Sequence, residues 1–200
     1  MVMMNALEIF LRAEAVKIGG KYEIFPNTYA PLMVDFTKLL DMPRYFDMLT
    51  DILADKVREQ DPDRVVGAFT SGIPLATAVS LKTNLPMAFV RREPKPYGRQ
   101  EVVEGIINEN ESLVLIDDVF SKVENNLSYL KHIRKYNSQP IKIVVIFNYN
   151  IVTPIKLKEY DAELISLFSA RDLLNKLEKW GKISKEEKEA YLRELKKCNA

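Results

Sequence analysis

The sequence predicts an α/β fold with a mostly parallel central sheet flanked by helices, and three observations carry that expectation. Short uncharged apolar runs alternate with stretches of helical periodicity along most of the chain, the pattern of a sheet covered by helices. One such run, Leu113 to Ile116, stops abruptly on Asp117-Asp118, as a buried parallel strand does when it delivers polar residues at its carboxyl end. A polar loop of six residues follows, then Leu127, Leu130 and Ile133 at helical spacing, so the segment reads strand, loop, helix. At 200 residues and 47% apolar, the chain suffices for one sizeable core with appended structure, not for two full domains.

From the start of the chain, Asn5 is a good N-cap, and Ala6, Ile9, Phe10, Ala13 and Val16 recur at helical spacing until Gly19-Gly20. Residues 21–35 read as two short strands about a Pro26-Asn27 turn. A second amphipathic helix opens near Asp41 with Pro43 in its first turn, and Tyr45, Met48, Leu49, Ile52, Leu53 and Val57 form its apolar stripe. Asp61-Pro62-Asp63 breaks it, Arg64 to Phe69 follows as a buried strand, and Thr70-Ser71-Gly72-Ile73-Pro74 turns into another helix. Met87 to Val90 is a strand that becomes cationic and runs into a loop punctuated by Pro and Gly. Ile141 to Tyr149 and Ala162 to Phe168 are later strands. Ser169 with Asp172, and Ser184 with Glu187, write capping boxes for two final helices, with Leu173, Leu174 and Leu177 facing inward on the first.

Composition limits the function classes. A formal charge of +1 gives no global reason to expect nucleic acid, so any anion site is local. Cys198, the only cysteine, has no intramolecular partner and fits a reducing cytoplasm. No uncharged apolar run approaches a membrane span, and Glu8, Arg12 and Glu14 interrupt the place where a signal peptide needs its apolar centre. His132 lies in a helical stretch with no ligand at metal spacing, and reads as a helix residue.

Three stretches carry chemistry. Asp117-Asp118 sit where open α/β sheets bind ligands, although acids also end strands merely to meet solvent. Thr70-Ser71-Gly72 exposes N–H groups at a helix N-terminus, which suits a phosphate. Arg91, Arg92, Lys95 and Arg99 place four cations within nine positions, a clamp for a phosphate-rich ligand or a solvated surface loop.

The apolar strand ending Asp117-Asp118-Val119, the run Gly72-Ile73-Pro74-Leu75-Ala76, and Phe89-Val90-Arg91-Arg92 leading through Lys95 and Gly98 to Val103-Glu104-Gly105 resemble the type I phosphoribosyltransferases. The likeness is closest to archaeal-type orotate phosphoribosyltransferases and spans nearly the whole chain. It implies the phosphoribosyltransferase fold, with a core from about 41 to 160 and a small hood built from about 1–40 and 161–200. It also implies a reaction, transfer of ribose 5-phosphate from phosphoribosyl pyrophosphate (PRPP) to a pyrimidine base, orotate becoming orotidine monophosphate. Asp117 and Asp118 would hold the ribose and, with Lys95, form the catalytic set. Thr70, Ser71 and Gly72 would touch the pyrophosphate, and Arg91, Arg92, Lys95 and Arg99 would close over it, partly from a neighbouring subunit of a homodimer. Mg²⁺ would enter with PRPP, with no direct protein ligand.

The chain departs from the family at several places. Ser121-Lys122-Val123-Glu124-Asn125 replaces the Thr-Thr-Gly-Gly-Thr loop that wraps the 5-phosphate, leaving Ser121, Lys122 and Asn125 as its hydrogen-bonding residues. At roughly 5 Å and an effective dielectric of about 20, the Glu124 charge would cost a phosphate on the order of 3 kcal/mol per unit of charge. Phe25 stands where the family has a substrate-facing lysine, and Tyr97 where many members have histidine. The alternative to an enzyme is therefore a catalytically impaired paralogue that acts as a nucleotide-binding or regulatory partner.

Overall fold

The computed structural model describes residues 4–93, 101–120, 123–137, 139–149 and 157–198. Strands β3 (Arg64–Ala68), β4 (Met87–Val90), β5 (Val103–Glu104), β6 (Leu113–Phe120), β7 (Ile141–Asn148) and β8 (Ala162–Ser169) form one sheet in the order β5-β4-β3-β6-β7-β8. Every pairing is parallel except β4 with the two-residue β5. The register sets Ala68 beside Val90 and Gly67 beside Ile116, so residues 69–71, 91–92 and 117–118 all leave or line the same carboxyl edge. β8 continues the sheet to Ser169, past the core limit of about 160 that the sequence suggests.

The helices divide between the two faces of this sheet. α2 (Pro43–Arg58) and α3 (Gly72–Thr83) bury Leu49, Leu53, Val57, Leu75 and Val79 on one face, while α4 (Val123–Ile133) buries Tyr129, Leu130 and Ile133 on the other. Lys82 of α3 bridges Asp47 and Asp51 of α2 at 2.8 and 2.5 Å. β1 (Val16–Phe25) and β2 (Thr28–Val34) make a separate antiparallel hairpin. It packs against α6 (Lys185–Lys197), and α5 (Ala170–Lys179) and α1 (Ala6–Arg12) complete this layer. Capping boxes start α1, α5 and α6 at Asn5, Ser169 and Ser184, satisfying N–H groups that would otherwise be orphaned. Leu173, Leu174 and Leu177 of α5 are buried as their spacing predicts.

The structure corrects the local reading in three places. The first helix stops at Arg12 and does not run through Val16. Glu14 takes a left-handed φ of 53°, Ala15 donates to the Phe10 carbonyl at 2.9 Å, and Val16 already pairs with Val34. Gly19-Gly20 therefore lie inside β1, where the register shifts between Ile18 and Tyr22 and Gly19 has φ 74°. At the central signature, β6 does not end at the acids, because β7 continues the ladder with Asp117 against Val145 and Val119 against Phe147. α4 then begins at Val123, so four of the residues expected in the polar loop form its first turn. Valine, glutamate and asparagine all cost less in a helix than the glycines of the family loop would.

Candidate active site

Asp117 and Asp118 open into a cavity of about 400 Å³ at the carboxyl edge of the sheet. Its floor is the β6 end with the turn Phe69-Thr70-Ser71, one wall is Arg92 from the end of β4, and Tyr129 and Tyr149 close the sides. The hairpin roofs it with Glu23 and Ile24 from β1 and Met33 and Val34 from β2. Tyr149 reaches the Leu32 carbonyl at 3.3 Å, tying the end of β7 to that roof.

Close approach of backbone builds the floor. A Cβ on Gly72 would lie 2.2 Å from the Ile116 carbonyl oxygen, and one on Gly67 would lie 2.9 Å from the Gly72 oxygen. Only glycine lets the first turn of α3 settle against β3 and β6, directly below the acids. The Phe69–Thr70 peptide is cis. Ser71 is the N-cap residue of α3, yet its hydroxyl makes no capping bond and instead meets Asp118. No side chain caps α3; of its first three residues, Ile73 donates its N–H to the Thr70 carbonyl at 3.2 Å and Pro74 has no N–H.

Each carboxylate accepts the next main-chain N–H: Asp118 donates to Asp117 Oδ1 and Val119 to Asp118 Oδ1, both at 2.9 Å. Burial and then the neighbouring charge of Asp118 push the Asp117 carboxyl well above the usual carboxylate range, while Arg92 pulls the other way. Burial also raises Asp118. With Glu23, the cavity holds three carboxyl groups against the single arginine among its described lining residues. Such a site is short of positive charge, and a polyanion enters it most readily with a cation of its own.

Of the residues singled out by sequence, Thr70, Ser71, Arg92, Asp117 and Asp118 are brought together around this cavity, and Gly72 shapes its floor. Arg91 stands beside it: its main-chain N–H donates to the Val102 carbonyl at 2.8 Å, and its Nε is buried without a hydrogen-bond partner. Lys95, Arg99, Ser121 and Lys122 lie outside the described residues, as does the side chain of Asn125. His132 lies in α4, its imidazole held below its usual pKa by burial and by Lys135.

Sequence reasoning missed Glu23 and Tyr129. Glu23 lies in the hairpin read as the hood, where only strand register decides which side chains look inward. Tyr129 lies on a helical stripe with Leu130 and Ile133, where an aromatic residue reads as core. It is indeed buried, but its hydroxyl donates to the Phe69 carbonyl at 2.6 Å, at the entrance to the 69–71 turn.

No family model matches the chain. The orotate phosphoribosyltransferase of Roseobacter denitrificans is 32% identical over 197 residues, covering 94% of this chain and 86% of that enzyme. That of Dinoroseobacter shibae is 33% identical over 149 residues, covering 72% of this chain and 66% of the enzyme. The crystal structure of orotate phosphoribosyltransferase from Aeropyrum pernix superposes with a TM-score of 0.70 over 86% of this chain and 98% of that one, at 19% identity, a likeness of fold. Identity sustained along almost all of the R. denitrificans enzyme, on a fold such enzymes share, makes this chain a member of the orotate phosphoribosyltransferase family.

Proposed function

We propose that the protein transfers ribose 5-phosphate from PRPP to the ring nitrogen of a pyrimidine, orotate above all, giving orotidine monophosphate and pyrophosphate. The observation that carries this reading is the meeting of Asp117-Asp118, the Thr70-Ser71 turn and Arg92 around one cavity at the sheet edge. In that arrangement the two carboxylates accept the ribose hydroxyls and fix the sugar. The C1–oxygen bond to pyrophosphate breaks with its electron pair, leaving oxocarbenium character that the nearby carboxylates favour. Thr70, Ser71 and the main chain at Gly72 take the leaving group, assisted by Arg91, Arg92, Lys95 and Arg99. Lys95 sits in the catalytic set as a cation for the departing oxygen. The base nitrogen forms the new bond to C1 and gives up its proton, which leaves with the pyrophosphate. Ser121, Lys122 and Asn125 serve the 5-phosphate.

Mg²⁺ belongs to this reading as part of the Mg²⁺–PRPP substrate, and the excess of carboxylates in the cavity supports that. The reading extends to a single unit over residues 1–200 working as a cytoplasmic homodimer in which the cationic loop serves the partner's site. Light scattering checks the assembly.

The test pairs an ultraviolet assay of orotate consumption with titration calorimetry of PRPP and Mg²⁺. It uses the wild-type chain and a variant carrying Thr-Thr-Gly-Gly-Thr at 121–125. Turnover by the wild type is expected, with PRPP bound at least tenfold more tightly by the variant, because Glu124 is gone and glycine lets backbone approach the phosphate. No consumption of orotate by either protein would overturn the proposal.

A further inference from the structure

The cavity is closed by polar contacts that join four separate elements. Asp118 meets the Ser71 hydroxyl, and Ser71 lies two residues after Phe69. The Phe69 carbonyl accepts the Tyr129 hydroxyl at 2.6 Å. The same phenol lines the cavity beside Arg92, and Arg92 lies within charge range of Asp117. Tyr129 is the one member of this group that comes from α4, the helix whose first turn takes in residues 123–125 of the rebuilt phosphate loop. A phenol can give its single proton to one partner only. With that proton committed to Phe69, the oxygen lone pairs are what the phenol has to offer Arg92.

We propose that Tyr129 is a positioning residue for pyrophosphate, locking the Phe69-Thr70-Ser71 turn and Arg92 into the geometry that receives it. The inference rests on the transferase reading, since it takes the turn and Arg92 as the leaving-group side of the site. Three features support it. The tyrosine is only 4% exposed, so it holds one position. Its hydroxyl is directed at the main chain of the turn, not at solvent. The guanidinium nearest it belongs to Arg92, the arginine that lines the same cavity. A long exposed arginine loses much side-chain entropy when a ligand captures it, and a fixed acceptor removes part of that cost in advance.

Tyr129→Phe deletes the hydroxyl and keeps the ring, so the packing of α4 is preserved. Titration calorimetry with Mg²⁺–pyrophosphate and, separately, with ribose 5-phosphate reads the two sides of the cavity in one protein. Pyrophosphate affinity is expected to fall about tenfold while ribose 5-phosphate stays within about twofold, as befits the loss of one hydrogen-bonding hydroxyl on one side. Arg92→Gln and the double variant complete a cycle, in which the loss on Tyr129→Phe is smaller once Arg92 is gone, the remainder being the share carried by the turn. The proposal is overturned by equal losses for both ligands, by no loss for pyrophosphate, by additive losses in the cycle, or by a wild type that binds no pyrophosphate. Transfer to orotate is measured apart from these titrations. A protein that shows the expected split without turnover would retire the transferase reading and leave the role of Tyr129 standing.

Discussion

Asp117 sits in surroundings that resist its ionisation, because burial raises its carboxyl pKa and the charge of Asp118 raises it further. A carboxyl whose folded-state pKa lies above its ordinary value of 3.8 favours folding while protonated, and that stability is lost as pH rises through the folded-state value. The pair therefore weighs against the empty fold at neutral pH. Asp117→Asn should raise the melting temperature at pH 7 by roughly 3 °C, about 1 kcal/mol, and lower PRPP affinity by tenfold or more. Scanning calorimetry and titration calorimetry on one sample check both halves, and a variant that binds as well as wild type would remove Asp117 from the site. Both acids were legible in the sequence because their signal is local: a strand that ends its apolar run on charge. Tyr129 was not, because its hydroxyl acquires a role only when α4 packs beside the turn after β3.

The same contrast holds for whole elements. Strands with continuous apolar runs and helices with capping boxes were readable, since each carries its own pattern within a few residues. Boundaries fixed by a partner were not. α1 yields at Glu14 because Val16 is claimed by Val34, and β6 outlasts its apolar run because β7 does. The α3 entrance shows the partner effect most sharply, for Gly72 reads as a phosphate-turn glycine while its packing against Ile116 is invisible in the sequence. A methyl group there would meet backbone at 2.2 Å, so β6 and α3 would have to separate. Gly72→Ala should cost about 2–4 kcal/mol in denaturant unfolding and weaken PRPP binding as the 70–71 turn shifts. Wild-type stability in that variant would show that the two elements part without strain.

Across the molecule, the two edges of the sheet respond to acid in opposite ways. At the edge away from the cavity, Arg64 grips Glu111 with two bonds of 2.8 and 2.7 Å, and Glu111 also accepts from the Asn108 main chain and side chain. Buried Asn137 donates to the Asn108 and Glu111 carbonyls, closing a clasp over the starts of β3 and β6. The Arg64 bond holds the Glu111 carboxyl down at about 2, against an ordinary 4.5. Stability from this clasp is whole above pH 4.5 and is lost as pH falls towards 2. Allowing for solvent screening, it is on the order of 2 kcal/mol. Glu111→Gln should lose that much at pH 7 and flatten the acid limb of the stability curve, measured by urea unfolding from pH 7 to 2. An unchanged acid limb would place the sensitivity elsewhere. This clasp was not read in the sequence, since Arg64 and Glu111 meet only when β3 and β6 pair. The hood has another kind of consequence. Its bonds span almost the full chain: Lys176 reaches Glu8 at 2.7 Å, and the Cys198 thiol reaches the Tyr29 carbonyl at 3.0 Å. During synthesis the Asp117-Asp118 floor can form while the hairpin above it still awaits α5 and α6. The roof of the cavity is thus held in place by residues synthesised well after its floor, and a chain cut short before them would keep its acids but not their shelter from water.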